Sequence, residues 1–420
     1  MSDQQLVTNR ERKNLFTNIF SLGTIHFLNY FLSLITIPYL VRVLGPENYG
    51  LTAFAASFTM IFYLITNYGF NFSSTRNISK ARNNTAKVNE IFSSVLIIKF
   101  FLSILCFLLL LIIISFSEKF KENYIIYYLS FGTVIGHALN PIWFFQGIER
   151  MKYITVLELT AKLIFASSIF IFIKNSDDFY LVPLFTSLGY IVSGIMGLLL
   201  AIYKFKARLF VVDLKSIFFY LKDGWNLFIS SVFSSSYTNL IPFILGLITN
   251  NFIVGLFTPI LKIMQAIRGL LNPISQALFP LMSKKFDENI KGSIGFLNKT
   301  SMVLMPLFFL LCLAIFLASD VVIQVFLGPQ FLDSKPILQI LSFVPLLGIL
   351  SNIYGIQFMV NSGYDKQFSK FVVFSSLMAL IFCIPLTFAY SSIGSALSIV
   401  IGELLLMLLV LHFLIRETKV

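Results

Sequence analysis

Charge is scarce in this sequence: Asp, Glu, Lys and Arg make up 12% of its 420 residues, against about 25% in soluble domains. So little charge excludes a soluble domain of this size, because most of the surface must face something other than water. Apolar residues supply 57% of the chain, Phe alone contributes 48 residues, and the mean hydropathy is +0.86. These values predict a protein embedded in a membrane.

Cysteine and catalytic motifs are also nearly absent. Cys106, Cys312 and Cys383 each lie in an apolar run and lack the spacing of metal ligands, so we expect buried free thiols and neither a disulfide framework nor a metal site. The turn at 45–50 has neither the strand nor the lysine of a phosphate-binding loop. With no catalytic residues and no cofactor predicted, a role other than catalysis is favoured.

The chain contains twelve apolar segments, each long enough to cross a bilayer, which takes about 20 residues. The sequence therefore predicts an all-α polytopic membrane protein of about twelve transmembrane helices. The predicted spans are 17–41, 51–72, 90–116, 124–147, 153–173, 179–203, 217–247, 252–281, 296–319, 334–360, 367–389 and 392–415.

The placement of Lys and Arg predicts the orientation of these spans. With the N-terminus inside, 22 of the 31 basic residues fall in cytoplasmic segments and 5 in outside segments, as the positive-inside rule requires. Both termini are then cytoplasmic. Most of the net charge of +12 is explained by topology, so it does not indicate a nucleic-acid partner.

Four basic residues remain inside spans, where an ionisable side chain costs at least about 2.5–3.5 kcal/mol and usually faces a wet cavity or a partner. Lys262 and Arg268 share the eighth span, with Gln265 and Asn272 on or near the same stripe. This polar stripe is either an anion-binding wall or a structural seam between helices. A kink is expected at Gly269 and Asn272–Pro273. The four intramembrane cations are Lys99, Lys162, Lys262 and Arg268.

Two intramembrane acids complete the set of candidates. Glu158 lies four residues before Lys162, the spacing of a helical ion pair. The two charges either neutralise each other permanently or form a pair that breaks and reforms during transport. Glu403 lies mid-way along the last span, where it either couples to an ion gradient or is the counter-ion of a cation. Lys99 has no acid near it in sequence, and substrate binding and structural pairing are equally open.

A pattern near the end of the first span recurs half a chain later. Ile37-Pro38-Tyr39, followed by the turn 45–51, resembles Ile241-Pro242-Phe243 followed by 250–256, with an offset of 204 to 205 residues. That offset equals six spans, and repeats of an even number of spans are related by an axis along the membrane normal. We therefore predict two six-helix lobes, 1–205 and 206–420, joined by a connector at about 204–216.

Three motifs of the N-terminal half resemble one known family. The motifs are 38–50 (Pro-Tyr-Leu-Val-Arg-Val-Leu-Gly-Pro-Glu-Asn-Tyr-Gly), 68–79 at the end of the second span, and 141–154 after the fourth. They resemble Wzx-type O-antigen flippases, polysaccharide transporters of the multidrug/oligosaccharidyl-lipid/polysaccharide exporter superfamily. The C-terminal half matches this family more weakly, by its eighth span and its layout.

The resemblance implies two lobes around a cavity in a bacterial inner membrane. The substrate is expected to be an oligosaccharide on undecaprenyl diphosphate, moved to the periplasmic leaflet and coupled to a proton or sodium gradient. Lys262 and Arg268 fit the cationic wall of such a cavity, with Lys99 and Lys162 as helpers. Arg76, which matches a motif arginine, and Arg42 are expected at a gate or at lipid head groups. Other polysaccharide-assembly membrane proteins are possible partners.

Two other classes stay open. A drug/cation antiporter of the same architecture would prefer acids in its cavity, whereas here four cations face two acids inside spans. A membrane enzyme of polysaccharide assembly usually needs a sizeable soluble loop, and no loop between the predicted spans is that long. The flippase is therefore the function that the sequence favours.

Overall fold

The fold is that of a computed structural model, which describes the backbone of residues 3–288 and 290–418 and the side chains of 32, 35–229, 231–232, 239–272 and most of 274–417. Within these residues the chain is almost entirely helical and has no β-strand. The helices are α1 (Asp3–Asn67), α2 (Phe70–Ala81), α3 (Thr85–Phe116), α4 (Glu118–Lys121), α5 (Tyr124–Leu139), α6 (Ile142–Gly147), α7 (Met151–Phe172), α8 (Leu181–Leu199), α9 (Leu214–Ile248), α10 (Asn251–Gly269), α11 (Leu271–Glu288), α12 (Ile290–Leu317), α13 (Ser319–Phe326), α14 (Lys335–Leu341), α15 (Val344–Leu350) and α16 (Asp365–Thr418). Two 3₁₀ turns, Ser176–Tyr180 and Pro329–Ser334, and two π-helical segments, Leu200–Lys204 and Ser351–Val360, connect them.

All twelve predicted spans fall on these helices. Among the described residues, eight helical stretches are long and apolar enough to cross a membrane. Two helices each carry two consecutive predicted spans: α1 turns at Gly45, with φ 73°, and α16 turns at Ser391, with φ 55°. A positive φ costs glycine nothing but is rare for serine. The predicted all-α membrane fold is confirmed.

Several predicted spans are interrupted rather than continuous, and a proline explains three of the breaks. The spans 124–147, 252–281 and 334–360 are interrupted after α5, α10 and α14. Proline has no N–H and clashes with the carbonyl four residues earlier. For Pro141, Pro273 and Pro345 those carbonyls belong to His137, Gly269 and Leu341, and the last two are the final residues of α10 and α14. The kink expected near Gly269 is confirmed.

The chain forms two compact units. Unit 1 contains Met1–Leu32 and Ala55–Val232, and unit 2 contains Ser33–Phe54 and Phe233–Val420. Helices α1 and α9 therefore contribute residues to both units. Relative to the predicted lobes, 1–205 and 206–420, the units exchange residues 33–54 and 206–232, and the division into lobes by halves of the chain stays a prediction.

The core of unit 1 is aromatic around the third sequence motif. Trp143 and Phe145 are fully buried on α6, and Trp143 packs against Phe92 of α3 with ring centroids 5.8 Å apart. Nearby, α2 and α6 approach closely, since a Cβ on Gly147 would come 2.6 Å from Ile78. Small residues at helix crossings allow such contact in membrane proteins, where dispersion rather than the hydrophobic effect holds helices together.

In unit 2, the two copies of the repeated sequence pattern meet. A Cβ added to Gly50 would overlap the carbonyl of Asn251, and one added to Gly255 would overlap the carbonyl of Pro46. Pro46 and Asn251 occupy equivalent positions in the two copies, and so do the two glycines. The contact is therefore reciprocal, as a local two-fold axis requires.

Candidate functional site

Helix α10 carries the predicted polar stripe. Most of its other side chains, including Leu261, Ile263 and Met264, are buried, whereas Lys262 is exposed and Gln265 and Arg268 are half-buried. Asn272, also half-buried, follows on α11 beyond the break at Leu270. The four predicted residues thus share the less buried side of a segment that otherwise packs into unit 2.

Arg268 and Glu403 form an ion pair that joins α10 to α16. A guanidinium N–H of Arg268 donates to Oε1 of Glu403, and the two residues lie 135 positions apart in the chain. The side chain of Arg268 is 32% exposed, whereas that of Glu403 is only 3% exposed. Of the two alternatives left open for Glu403, the structure therefore supports the counter-ion. Its second oxygen, Oε2, has no hydrogen-bond partner among the described residues.

A cavity of about 180 Å³ adjoins this ion pair. Its lining is rich in small polar side chains and includes Gly348 and Gly402. The hydroxyl of Ser351 on this lining, like Oε2 of Glu403, lacks a hydrogen-bond partner among the described residues. The polar members of the lining are Arg268, Asn272, Ser351, Asn352, Ser375, Ser376 and Glu403.

Lys262 is paired with an aromatic residue rather than an acid. Its Nζ lies 3.4 Å from the hydroxyl of Tyr49 and 5.7 Å from the centre of the Tyr49 ring. Both an ammonium–hydroxyl hydrogen bond and a cation–π contact hold it without removing its positive charge. Tyr49 lies beside Gly50 in the repeated pattern, so the reciprocal helix contact also positions the partner of Lys262.

Lys99 hydrogen-bonds to the backbone carbonyl of His137, which has no helical donor because Pro141, four residues later, lacks an N–H. It is 2% exposed, and its Nζ donates to the backbone oxygen of His137 at 3.1 Å. The imidazole of His137 packs between Tyr63 and Tyr190, with ring centroids 4.6 Å and 4.1 Å away. The structural pairing considered for Lys99 is therefore present.

Glu158 and Lys162 lie one turn apart on α7, half-buried, and interact electrostatically. The carboxylate of Glu158 also interacts electrostatically with the hydroxyls of Tyr63 and Tyr190. Glu158 and Lys162 thus belong to the same cluster of unit 1 as Lys99. The α10 stripe lies in unit 2.

The two motif arginines each bind a defined partner. In unit 1, Arg76 pairs with Asp223 of α9 at 2.6 Å, and Asn77 donates to the other oxygen of the same carboxylate at 2.9 Å. In unit 2, Arg42 donates to the carbonyl of Val325 in the last turn of α13. A cation at a helix C-terminus interacts favourably with the helix dipole.

Among the described residues, no group of three His, Cys, Asp or Glu side chains is arranged to hold a metal ion. Cys106, Cys312 and Cys383 are free and buried, which confirms the prediction of buried free thiols.

The structure adds site residues that sequence reasoning missed. Tyr49, Gly348 and Asp223 contact Lys262, Arg268 and Arg76, respectively. Tyr49 carried a signal, since it lies in the repeated pattern, but its partner is more than two hundred residues away. Gly348 and Asp223 carried none, because a single glycine or a single acid at a span end is common.

Comparison with known proteins gives close matches over the whole chain. The model of a family described as "Polysaccharide biosynthesis protein" matches residues 15–286. A protein of Escherichia coli (strain K12) named "Putative O-antigen transporter" is 32% identical, over 98% of this chain and 99% of its own length. A protein of the same name from Shigella dysenteriae is 29% identical, over 94% and 98%.

Solved structures match the fold. A multidrug resistance MATE family transporter of the MOP superfamily, in an inward-facing conformation, gives a TM-score of 0.74 at 14% identity and covers 93% of this chain and 94% of its own. The lipid II flippase MurJ, in an inward closed conformation, gives a TM-score of 0.70 at 16% identity and covers 93% and 87%. At these identities, the likeness concerns the fold.

Proposed function

This chain belongs to the polysaccharide biosynthesis protein family, and from that premise we propose that it is a flippase for an oligosaccharide linked to undecaprenyl diphosphate. It is a transporter rather than an enzyme. The substrate, an O-antigen or similar repeat unit, is moved from the cytoplasmic to the periplasmic leaflet of a bacterial inner membrane. Both termini face the cytoplasm, and the movement proceeds by alternating access. The two relatives named as O-antigen transporters support this class of substrate.

The accessibility of the Arg268 side chain, about a third of which is exposed, is the observation that carries the proposal. Guanidinium groups bind phosphate through two parallel hydrogen bonds and keep their charge in any environment. Six residues of helix separate Lys262 from Arg268, about 9 Å along the axis. A diphosphate with its first sugar extends over a similar length, so Arg268 binds the diphosphate while Lys262, Gln265 and Asn272 provide further polar contacts.

The remaining predicted residues have secondary roles in this proposal. Lys162 and Lys99 add positive charge, and because Lys99 is buried its contribution is smaller than that of Lys262. Glu158 and Glu403 are the candidates for coupling to H⁺ or Na⁺. Arg76 and Arg42 act at gates or lipid head groups. Polysaccharide-assembly proteins of the membrane receive the flipped substrate.

Reconstituted translocation tests the role of Arg268. The variant is Arg268→Ala combined with Glu403→Gln, which leaves no uncompensated charge in the core. We expect translocation of the lipid-linked oligosaccharide in proteoliposomes to fall at least about tenfold, equivalent to roughly 1.4 kcal/mol. The control, Lys370→Ala, changes an exposed cation of α16 and should transport normally. Unchanged translocation in the double variant would contradict the proposal.

The same assay separates the flippase from a drug/cation antiporter. An antiporter for cations needs an accessible acid, whereas the carboxylate of Glu403 is buried and paired with Arg268. We therefore expect no uptake of a cationic dye such as ethidium in the proteoliposomes that translocate the lipid-linked sugar. Dye uptake that Glu403→Gln abolishes would favour the antiporter.

A further inference from the structure

We propose that the carboxylate of Glu403 binds Arg268 in the absence of substrate and that the diphosphate of the substrate displaces it. Gly348 leaves the space in which the guanidinium of Arg268 is held. The inference rests on the proposed function, because it assumes a diphosphate ligand at Arg268. It makes Glu403 and Gly348 positioning residues for substrate recognition.

The difference in exposure between the two partners makes such an exchange possible. About a third of the Arg268 side chain is accessible, whereas its carboxylate partner is almost entirely enclosed. An arriving anion therefore meets the guanidinium first and does not have to enter the core. A diphosphate carries more negative charge than one carboxylate and offers several acceptor oxygens, so it competes effectively for the same donors.

The guanidinium of Arg268 packs against Gly348, where a larger residue would collide with it. A Cβ at Gly348 would lie 3.0 Å from Nε and 3.2 Å from Cζ of Arg268. Both distances are shorter than ordinary van der Waals contacts, so a side chain at 348 would shift the guanidinium by a few tenths of an ångström. Gly348 lies on α15, which thereby fixes where the charge of α10 is held.

The environment of Glu403 lets it lose its partner. Its Oε2 has no hydrogen-bond partner among the described residues, so this oxygen is available to accept a hydrogen bond from water when Arg268 leaves. The adjoining cavity, lined by Ser375, Ser376 and Asn352, has room for several water molecules. A buried charge without a partner is costly, and these polar groups lower that cost when the substrate takes Arg268.

A purely structural ion pair is the competing explanation, and binding measurements separate the two. The probe is undecaprenyl diphosphate, titrated against the purified full-length protein in detergent. Removing an internal competitor should tighten binding, whereas removing a structural contact should leave affinity unchanged or weaken it. We expect Glu403→Gln to bind the probe about tenfold more tightly, since hydrogen bonds to charged groups are the stronger ones.

Three further variants complete the test. Gly348→Ala should weaken binding several-fold, because the guanidinium is displaced. Glu403→Asp keeps the charge but retracts it by one methylene, so its affinity for the probe should lie between those of wild type and Glu403→Gln. The Asp variant also provides the test if Glu403→Gln folds poorly. Glu417→Gln neutralises a carboxylate elsewhere on α16, bonded to Tyr364, and should bind like wild type.

The outcomes distinguish this inference from the function on which it rests. If Arg268→Ala/Glu403→Gln loses binding but Glu403→Gln and Glu403→Asp match wild type or bind more weakly, the exchange is wrong and the pair is structural. If the double variant binds the probe as well as wild type does, the diphosphate site itself is wrong. Tighter binding in Glu403→Gln together with loss in the double variant supports both.

Discussion

Gly50 packs directly on the backbone carbonyl of Asn251, and the same contact is repeated between Gly255 and Pro46. Each glycine lies one helical turn after the residue that corresponds to the carbonyl on the other side. Two helix starts therefore cross at their first turns, with no side chain between them. Such close approach allows Cα–H···O contacts and dense packing without a hydrophobic driving force.

Replacing either glycine with alanine should destabilise the protein. The added methyl group would overlap a carbonyl oxygen, so we expect Gly50→Ala or Gly255→Ala to lower stability by about 1–3 kcal/mol, as overpacking does. Thermal unfolding in detergent measures the loss. Because the two contacts share one crossing, the double variant should lose less than the sum of the single variants.

Gly295→Ala is the matched control for this experiment. Gly295 is also helical, and nothing lies within 4 Å of a Cβ placed there. Alanine forms helix more readily than glycine, so this variant should be as stable as wild type or slightly more stable. If Gly50→Ala behaves like Gly295→Ala, the helices do not cross at this point.

The ion pair between Arg268 and Glu403 predicts a charge-compensation effect on stability. Arg268→Ala leaves a carboxylate that is 3% exposed without its cation, so we expect a loss of about 3–5 kcal/mol. Adding Glu403→Gln removes the charge and should recover most of this loss. Unfolding temperatures of the two single variants and the double variant measure the effect.

A matched arginine shows whether that effect is specific. Arg416 is exposed near the end of α16, and Arg416→Ala should change stability by less than about 0.5 kcal/mol. A double variant as unstable as Arg268→Ala alone would mean that lost packing, rather than uncompensated charge, causes the destabilisation.

Lys262 and Lys99 should respond differently to the same substitution. Lys262 is exposed beside Tyr49, so Lys262→Met should weaken binding of undecaprenyl diphosphate by up to about tenfold with little change in stability. Lys99→Met removes the donor to the His137 carbonyl and should cost about 1–3 kcal/mol of stability with a smaller change in affinity. Equal affinity losses would show that Lys99 reaches the substrate directly.

Thiol labelling tests the predicted orientation. The native cysteines are buried, so a membrane-impermeant maleimide should not react with the folded wild-type protein. Lys121→Cys, in a predicted outside segment, should react in spheroplasts, where the outer face of the inner membrane is accessible. Lys366→Cys, in a predicted cytoplasmic segment, should react only after that membrane is permeabilised. Labelling in the opposite order would reverse the topology.

The helical membrane fold was predictable because its cause is local. A bilayer requires each spanning segment to be apolar and to satisfy its own backbone, and both properties are visible in a window of about 20 residues. The breaks at Pro141, Pro273 and Pro345 were also visible as residues. Their consequences were only partly predicted, since two of these spans were expected to be continuous.

The stripe on α10 was predictable for a similar reason, because helical periodicity places Lys262, Gln265 and Arg268 on one side. Their partners were not. Glu403 was one of two intramembrane acids available to four cations, and nothing in the order of the residues assigns it to Arg268.

By itself, the sequence determined the class of protein, the number and expected orientation of its spans and the family motifs, because each of these depends on residues that are neighbours in the chain. Only the tertiary structure decided that Arg268 binds Glu403, that Lys99 binds the carbonyl freed by Pro141, and that Gly50 meets Asn251. These contacts join residues from about forty to two hundred positions apart. Side-chain contacts of this kind follow from how the helices pack, which the hydropathy of each helix does not specify.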